Sequence, residues 1–163
     1  MSKEKNIVVL GAGYGGILTA KKMARKFKKD ENIRITLIDK NSYHTMLTEL
    51  HEVAAGRVPE EAIRIDLEKV FAGRKVDIVL DEISNIDFNA KKLQGKVKDY
   101  TYDYLVLGTG SKPTFYNCDG AKEHALTLWS YEDAIRIKSH IIEIMGEASV
   151  ETDPVRRRNL LTF

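Results

Sequence analysis

The stretch from Ile7 to Gly16, I-V-V-L-G-A-G-Y-G-G, restricts the folds open to this chain more than any other part of it. The apolar run Ile7, Val8, Val9, Leu10 suits a short strand buried on both faces. Gly11, Gly13 and Gly16 follow at G-x-G-x-x-G spacing, and an apolar helical pattern begins at once. Gly11 makes the tight turn in such a motif, Gly13 lets the backbone approach a pyrophosphate, and Gly16 lets the helix pack closely on the strand. The new helix directs unpaired N–H groups and the positive end of its dipole at this spot, which favours an anion.

The next apolar run, Ile33 to Ile38, ends in Asp39. An acidic residue at the end of the second strand, about 20 residues past the glycines, completes the dinucleotide fingerprint, because its carboxylate can accept hydrogen bonds from a ribose diol. Strand, glycine turn, helix, strand and acid together predict an α/β fold with a parallel sheet.

Between the two strands, Ile17, Ala20, Ala24 and Phe27 mark one helix face, with Met23 beside them. The cations Lys21, Lys22, Arg25, Lys26, Lys28 and Lys29 cluster toward the helix end, where they complement the dipole on a solvated face. Met46, Leu47, Leu50, Val53 and Ala54 have helical spacing within Asn41–Gly56, and Gly56 is a stop. His44, His51, Glu49 and Glu52 fall in no recognised ligand spacing, so no metal site is expected. Asp66 to Gly73 predicts a short helix and Lys75 to Leu80 a third strand. Glu82 to Tyr102 predicts a small antiparallel excursion, turning at Asn89-Ala90 and Gly95. Tyr104 to Leu107 reads as another buried strand, ending in the second glycine turn Gly108-Thr109-Gly110.

Ser130 with Asp133 predicts a helix cap, and Ala134, Ile135, Ile137, Ile141, Ile142 and Met145 the apolar face of a helix reaching about Gly146. Glu147 to Arg158, with Pro154 and Arg156-Arg157-Arg158, reads as a linker. Leu160 to Phe163 reads as the entry to a further buried strand, so a piece of a longer protein is expected.

Bulk properties narrow the classes. The chain of 163 residues is long enough for one domain with a real core. A net charge of +2 gives no argument for nucleic acid as a partner. Cys118 is the only cysteine, which excludes a paired-thiol site within this chain and fits a cytoplasmic setting. Lys3 and Lys5 before an apolar stretch mimic a secretory signal, but the glycines weaken its helix and no cleavage site precedes Lys21-Lys22. No stretch is long enough to span a membrane. The histidines His44, His51, His124 and His140 form no acid–base motif, which disfavours a single-fold NAD-dependent dehydrogenase.

With the glycine turn, Asp39, Y-D-Y-L-V-L-G-T-G-S and the helix start W-S-Y-E-D-A in view, the whole chain resembles the N-terminal part of a type II NADH dehydrogenase, one of the two-dinucleotide-binding flavoproteins. The segment Tyr43-His44 through Val53-Ala54-Ala55-Gly56 points to this branch. The resemblance implies a Rossmann-like three-layer FAD/NAD(P)-binding fold, incomplete in this chain. It divides the sequence into 1–120, the first segment of an FAD-binding domain, and 121–163, a connecting helix and linker. It implies FAD at the first glycine turn, held by Gly11, Ala12, Gly13, Tyr14, Gly15 and Gly16. Asp39 meets the ribose with Lys40 beside it, Ile83 meets the adenine through its backbone, and Thr109 and Gly110 lie near the cofactor. Gly108 stands where the family usually has alanine. Thr48 stands where many members have proline, so neither Thr48 nor Glu49 is assigned a flavin contact.

The flavin carries the redox chemistry in such proteins, so no side chain here is assigned a catalytic role. The implied partners of the full-length protein are NADH and a quinone, with a homodimer and peripheral attachment to the inner face of the cell membrane allowed. Sulfide:quinone and ferredoxin-type reductases, and a non-catalytic dinucleotide-binding module, remain open alternatives. The missing C-x-x-x-x-C pair argues against thiol-disulfide reductases.

Overall fold

The computed structural model describes residues 4–162, which form two compact units. The described parts of the first are residues 4–45 and 64–111; those of the second are 46–63 and 112–162.

Strand and helix alternate from the start. Strand β1 (Lys5–Leu10) runs into helix α1 (Tyr14–Lys26), and β2 (Ile33–Asp39) follows. A three-residue strand β3 (Tyr43–Thr45) precedes the helix α2 (Leu50–Ala54) of the second unit. Strand β4 (Arg64–Asp66) then pairs antiparallel with β3, His44 opposite Ile65. Helix α3 (Leu67–Phe71) starts at Asp66, whose side chain accepts from the Glu68 and Lys69 N–H groups, and leads to β5 (Asp77–Leu80). Strands β6 (Ile83–Asp87), β7 (Lys92–Gly95) and β8 (Asp99–Thr101) make an antiparallel sheet before β9 (Tyr104–Leu107).

The main sheet has the order β5-β2-β1-β9, all parallel, with Ile7 opposite both Ile35 and Tyr104. Because β1 and β2 are interior strands, residues on both their faces are buried, which explains their unbroken apolar runs. Val9 and Leu37 face α1 and α3, packing with Ile17, Ala20, Leu67 and Phe71. Val8, Leu10 and Ile38 face the antiparallel sheet, packing with Leu93 and Tyr102. Helices, parallel sheet and antiparallel sheet are thus the three layers of this unit. Each fully buried aliphatic side chain contributes roughly 1.5–3 kcal/mol.

Several expectations need correction. The helical spacing from Met46 to Ala54 is realised in two pieces, Leu47–Glu49 as a single 3₁₀ turn and Leu50–Ala54 as α-helix, and Tyr43–Thr45 before it is a strand. The β3 strand exists because β4, far along the chain, supplies its partner. Strand β9 is an edge rather than a buried strand, with Tyr104 60% and Leu107 54% exposed.

The second unit gathers α2 with the short helix α4 (Ala121–His124), helix α5 (Tyr131–Val150) and helix α6 (Pro154–Leu160). The capping box at α5 is as expected: Asp133 N–H donates to Ser130 Oγ, and the Ser130 N–H donates to Asp133. Leu50, Val53 and Ile63 pack on Ala134 of α5. The helix runs through Gly146 to Val150, because buried Ala148 holds its last turn and Gly146 alone costs only about 1 kcal/mol. Residues 147–158 are accordingly largely helical. Asp153 caps a new helix with Pro154 in its first turn, the position proline prefers. Leu160 belongs to that helix and Leu161 ends it, so neither enters a strand; Phe163 lies outside the described residues.

The first unit is fastened at the end of β5 by buried Asp81. Its carboxylate accepts from Tyr100 Oη at 2.7 Å and from the N–H groups of Glu82 (2.8 Å), Val97 (3.1 Å) and Lys98 (3.4 Å). Burial opposes its charge, but the bonds from Tyr100 and the three amides outweigh that and hold the carboxyl below its usual range. Burial and this same bond push the Tyr100 phenol up to about 12. A depressed carboxyl stabilises the fold above its unfolded pKa, about 3.9, and loses that contribution as pH falls through the folded value. A raised phenol stabilises fully below about 10 and loses the contribution as pH rises through the folded value. Thermal melts of Asp81→Asn should show a lower Tm at neutral pH and a shallower fall below pH about 4 than the parent chain. Acid limbs that run parallel in the two proteins would rule this account out.

Candidate functional site

The carboxyl ends of the parallel strands converge on the first glycine turn. Gly11 N–H bonds Ile38 O at 2.8 Å, Gly108 N–H bonds Leu10 O at 2.7 Å, and Asp81 N–H bonds Asp39 O at 2.9 Å. In open α/β sheets this is the end at which ligands bind.

Each motif glycine can be tested by asking what a side chain there would meet. A Cβ on Gly11 would run into Gly108 O, and φ there is +102°, outside what other residues adopt readily. A Cβ on Gly16 would overlap the carbonyl oxygen of Gly11. Both positions are closed by the protein's own backbone. Gly13 differs. Its φ of −72° suits any residue, and a Cβ would meet nothing nearer than Gly108 O at 3.9 Å. Packing gives no reason for glycine at position 13, which leaves its backbone open to close approach from outside.

Gly13 is also the N-cap of α1, and no side chain caps that helix. Its first turn carries no acidic residue, while Arg25 and Lys26 sit in its last. Gly13, Tyr14 and Gly15 are exposed. An uncapped, exposed helix N-terminus at the carboxyl end of a sheet presents N–H groups and the positive end of a dipole, a setting that favours an anion.

Asp39 stands at the mouth of this turn, half-buried. Its Oδ2 accepts from Ala12 N–H at 2.6 Å and its Oδ1 from Asn41 N–H at 2.8 Å. The Ala12 amide is therefore engaged by the protein. Each Asp39 oxygen keeps a second lone pair that a sugar hydroxyl can use. Lys40 is exposed next to it. Lys96, by a hydrogen bond and then by its charge, holds Glu82 below the usual carboxylate range, and Lys40 adds to that field. Ile83, half-buried, opens β6 just beyond Asp81 and joins the core under the antiparallel sheet. The second glycine turn lies against the first: Gly108 and Thr109 are the groups a Gly11 side chain would strike. Gly110 is exposed, with φ +73°. Residues 11–16, Asp39 and Thr109 are thus brought together, with Lys40 and Ile83 along the strand ends beside them.

Sequence reading missed two members of this region. One is Asp81. The other is His44, buried in β3, whose Nδ1 lies 3.0 Å from Ala12 O and whose ring meets the Tyr14 ring edge-on at 4.7 Å. No spacing rule announces either, since each acts on backbone distant in sequence. In the second unit the fold brings Glu49, His51 and Glu52 within 4.8 Å of one another, which their spacing did not suggest. Arg57 pairs with both Glu52 oxygens at 2.9 and 2.8 Å, which neutralises that carboxylate.

Comparison with known proteins follows the same lines. Residues 5–150 match the pyridine nucleotide-disulphide oxidoreductase family. The chain belongs to this family. Among its 163 residues Cys118 is the single cysteine, so these residues hold no cysteine pair. It is 37% identical over 137 residues to the type II NADH:quinone oxidoreductase of Staphylococcus haemolyticus and 36% to that of Staphylococcus aureus. These matches take in 84% of the chain, and the chain spans about a third (34%) of the length of those relatives. A Plasmodium falciparum NDH2 structure in complex with NADH superposes with a TM-score of 0.77 at 20% identity, covering 95% of this chain and 32% of the other. The sulfide:quinone oxidoreductase of Aquifex aeolicus gives 0.71 at 25% identity, covering 87% and 32%.

The glycine geometry sets an order of stabilities. Gly16→Ala should destabilise the fold by about 3 kcal/mol or more, because rigid backbone on both sides must move. Gly13→Ala should cost at most about 1 kcal/mol, the scale of a poorer N-cap. Urea unfolding of the two variants measures the difference, and equal values would contradict it.

Proposed function

We propose that residues 1–120 carry the FAD-binding segment of a flavin-dependent NADH dehydrogenase, with 121–163 leading on from it. The observation that carries this reading is the exposed, uncapped start of α1 at Gly13, where glycine has no packing reason to be. Gly13, Tyr14, Gly15 and Gly16 face the pyrophosphate through their backbone, Ala12 keeps the turn closed, and Asp39 takes the ribose with Lys40 beside it. Ile83 offers backbone to the adenine, and Thr109 and Gly110 border the cofactor from the second glycine turn.

A bound flavin supplies the redox chemistry, taking a hydride from NADH and passing electrons to a quinone. This chain's residues bind it, orient it and complement its negative charge. The names of the staphylococcal relatives support NADH and quinone as substrates of the longer protein. Among the described residues no helix is long and apolar enough to cross a membrane. Peripheral attachment to a quinone-bearing membrane and a homodimer belong to this reading of the longer protein. The Aquifex aeolicus neighbour supports a sulfide-oxidising relative as the second reading. Reduction of the flavin of a full-length version by sulfide but not NADH would decide for it.

The first test uses the purified chain. Denaturation should release FAD, identified by chromatography and fluorescence, or added FAD should bind and be displaced by ADP. Tight NADH binding with no affinity for flavin would overturn the reading. Gly13→Ala should weaken FAD binding about tenfold or more, since a methyl group then stands where a phosphate must approach, with the melting curve little changed.

A further inference from the structure

Both polar groups of Ala12 are held by side chains from separate strands. Asp39, ending β2, accepts its N–H at 2.6 Å, and His44, in the middle of β3, lies 3.0 Å from its carbonyl oxygen. A carbonyl only accepts, so His44 Nδ1 carries a proton and donates it there. The imidazole is itself fixed: it is buried, its backbone is paired with Ile65, and the Tyr14 ring packs edge-on against it at 4.7 Å.

The direction of the Ala12 carbonyl decides more than its own bond. Ala12 C=O and Gly13 N–H belong to one planar trans peptide, so they point in opposite directions. Drawing the carbonyl inward to buried His44 turns the Gly13 N–H outward, to the exposed side of the turn. Such a constraint matters here, because on its Gly13 side this peptide has no Cβ to resist flipping. A flipped peptide would present a carbonyl oxygen, with its negative partial charge, to an incoming phosphate.

We propose that His44 is a positioning residue that aims the Gly13 N–H at the phosphate oxygens of the bound dinucleotide, acting through the Ala12 carbonyl. This rests on the dinucleotide reading above. Without the imidazole the turn samples both peptide orientations, and apparent affinity falls by the fraction that remains competent.

The test is the FAD dissociation constant of the 163-residue chain, by flavin fluorescence titration, for the parent, His44→Phe and His44→Asn. Phenylalanine keeps the ring against Tyr14 but donates nothing. Asparagine places an amide N–H near the position of Nδ1. His44→Phe should weaken FAD binding about tenfold, and His44→Asn should recover most of that loss, staying within about threefold of the parent. Rescue by asparagine is not expected of a residue that only fills space. Parent-like affinity in folded His44→Phe would overturn the inference, as would asparagine performing no better than phenylalanine. Should His44→Phe lack the parent's circular dichroism, His44→Asn and His44→Gln decide instead. Tighter binding by asparagine supports the inference, because glutamine carries its amide too far out; equal binding overturns it. Failure of the parent to bind FAD at all would overturn the dinucleotide reading, and this inference with it.

Discussion

Backbone meets backbone at the end of β1 with no side chain between. Gly11 lies against Gly108 of the second glycine turn, and Gly16 of α1 lies against the carbonyl of Gly11. That contact fixes where α1 leaves the sheet, and with it the direction of the helix dipole. It also ties the last strand of the sheet to the first turn of the chain. The layers above and below, with Val9 and Leu37 on one face and Val8 and Ile38 on the other, are compatible with many α/β arrangements. The glycine contact is what selects this one. Two of the motif's glycines are thereby set by the protein's own atoms, and only Gly13 stands clear of them.

Aspartates at strand ends repeat one device. Asp39 after β2, Asp81 after β5 and Asp103 before β9 each accept backbone N–H groups from a neighbouring segment: Ala12 and Asn41, Glu82 and Val97, and Asn6 respectively. An ionised carboxylate with short amide bonds is a strong and directional fastener, worth roughly 1.5–3 kcal/mol per bond for Asp39. The same chemistry that holds a turn also suits a carboxylate for a sugar hydroxyl. Asp39 sits at the mouth of the glycine turn, which is why the proposed ribose contact falls to it, whereas Asp81 is enclosed under the β7–β8 hairpin.

What the sequence disclosed follows from the range of the interactions. β1, α1, β2 and the capping box at Ser130 are specified by residues within a few positions of one another, and all four were legible, although β1 starts at Lys5, two residues before its apolar run. So were Gly11, Gly13, Gly16 and Asp39, whose spacing is the signal. Strands β3 and β4 were not, because three residues carry no periodicity and each exists only by virtue of its partner. His44 was hidden for the same reason: its hydrogen bond reaches back to Ala12 across the sheet. Gly146 and Pro154 misled in opposite ways. The glycine is carried by the buried Ala148 beyond it, and the proline begins a helix instead of marking a linker. The edge position of β9 is a fact of topology that its apolar residues do not reveal.

The strand order has a further consequence for how such a chain acquires its structure. β1 is interior to the sheet, yet one of its two neighbours is β9, with Ile7 opposite Tyr104. During synthesis β2 arrives soon after β1, but the other flank of β1 stays open until Tyr104–Leu107 has emerged. Closing so long a stretch of chain carries an entropic cost that local pairing does not. The excursion β6–β7–β8, built from neighbouring hairpins, can form before that closure and present Leu93 and Tyr102 as a surface for β1 to settle on. Asp103, bonded to the Asn6 amide at 2.8 Å, anchors the start of β9 beside β1 in the final register. β1, made before both of its neighbours, is completed only when β9 reaches it.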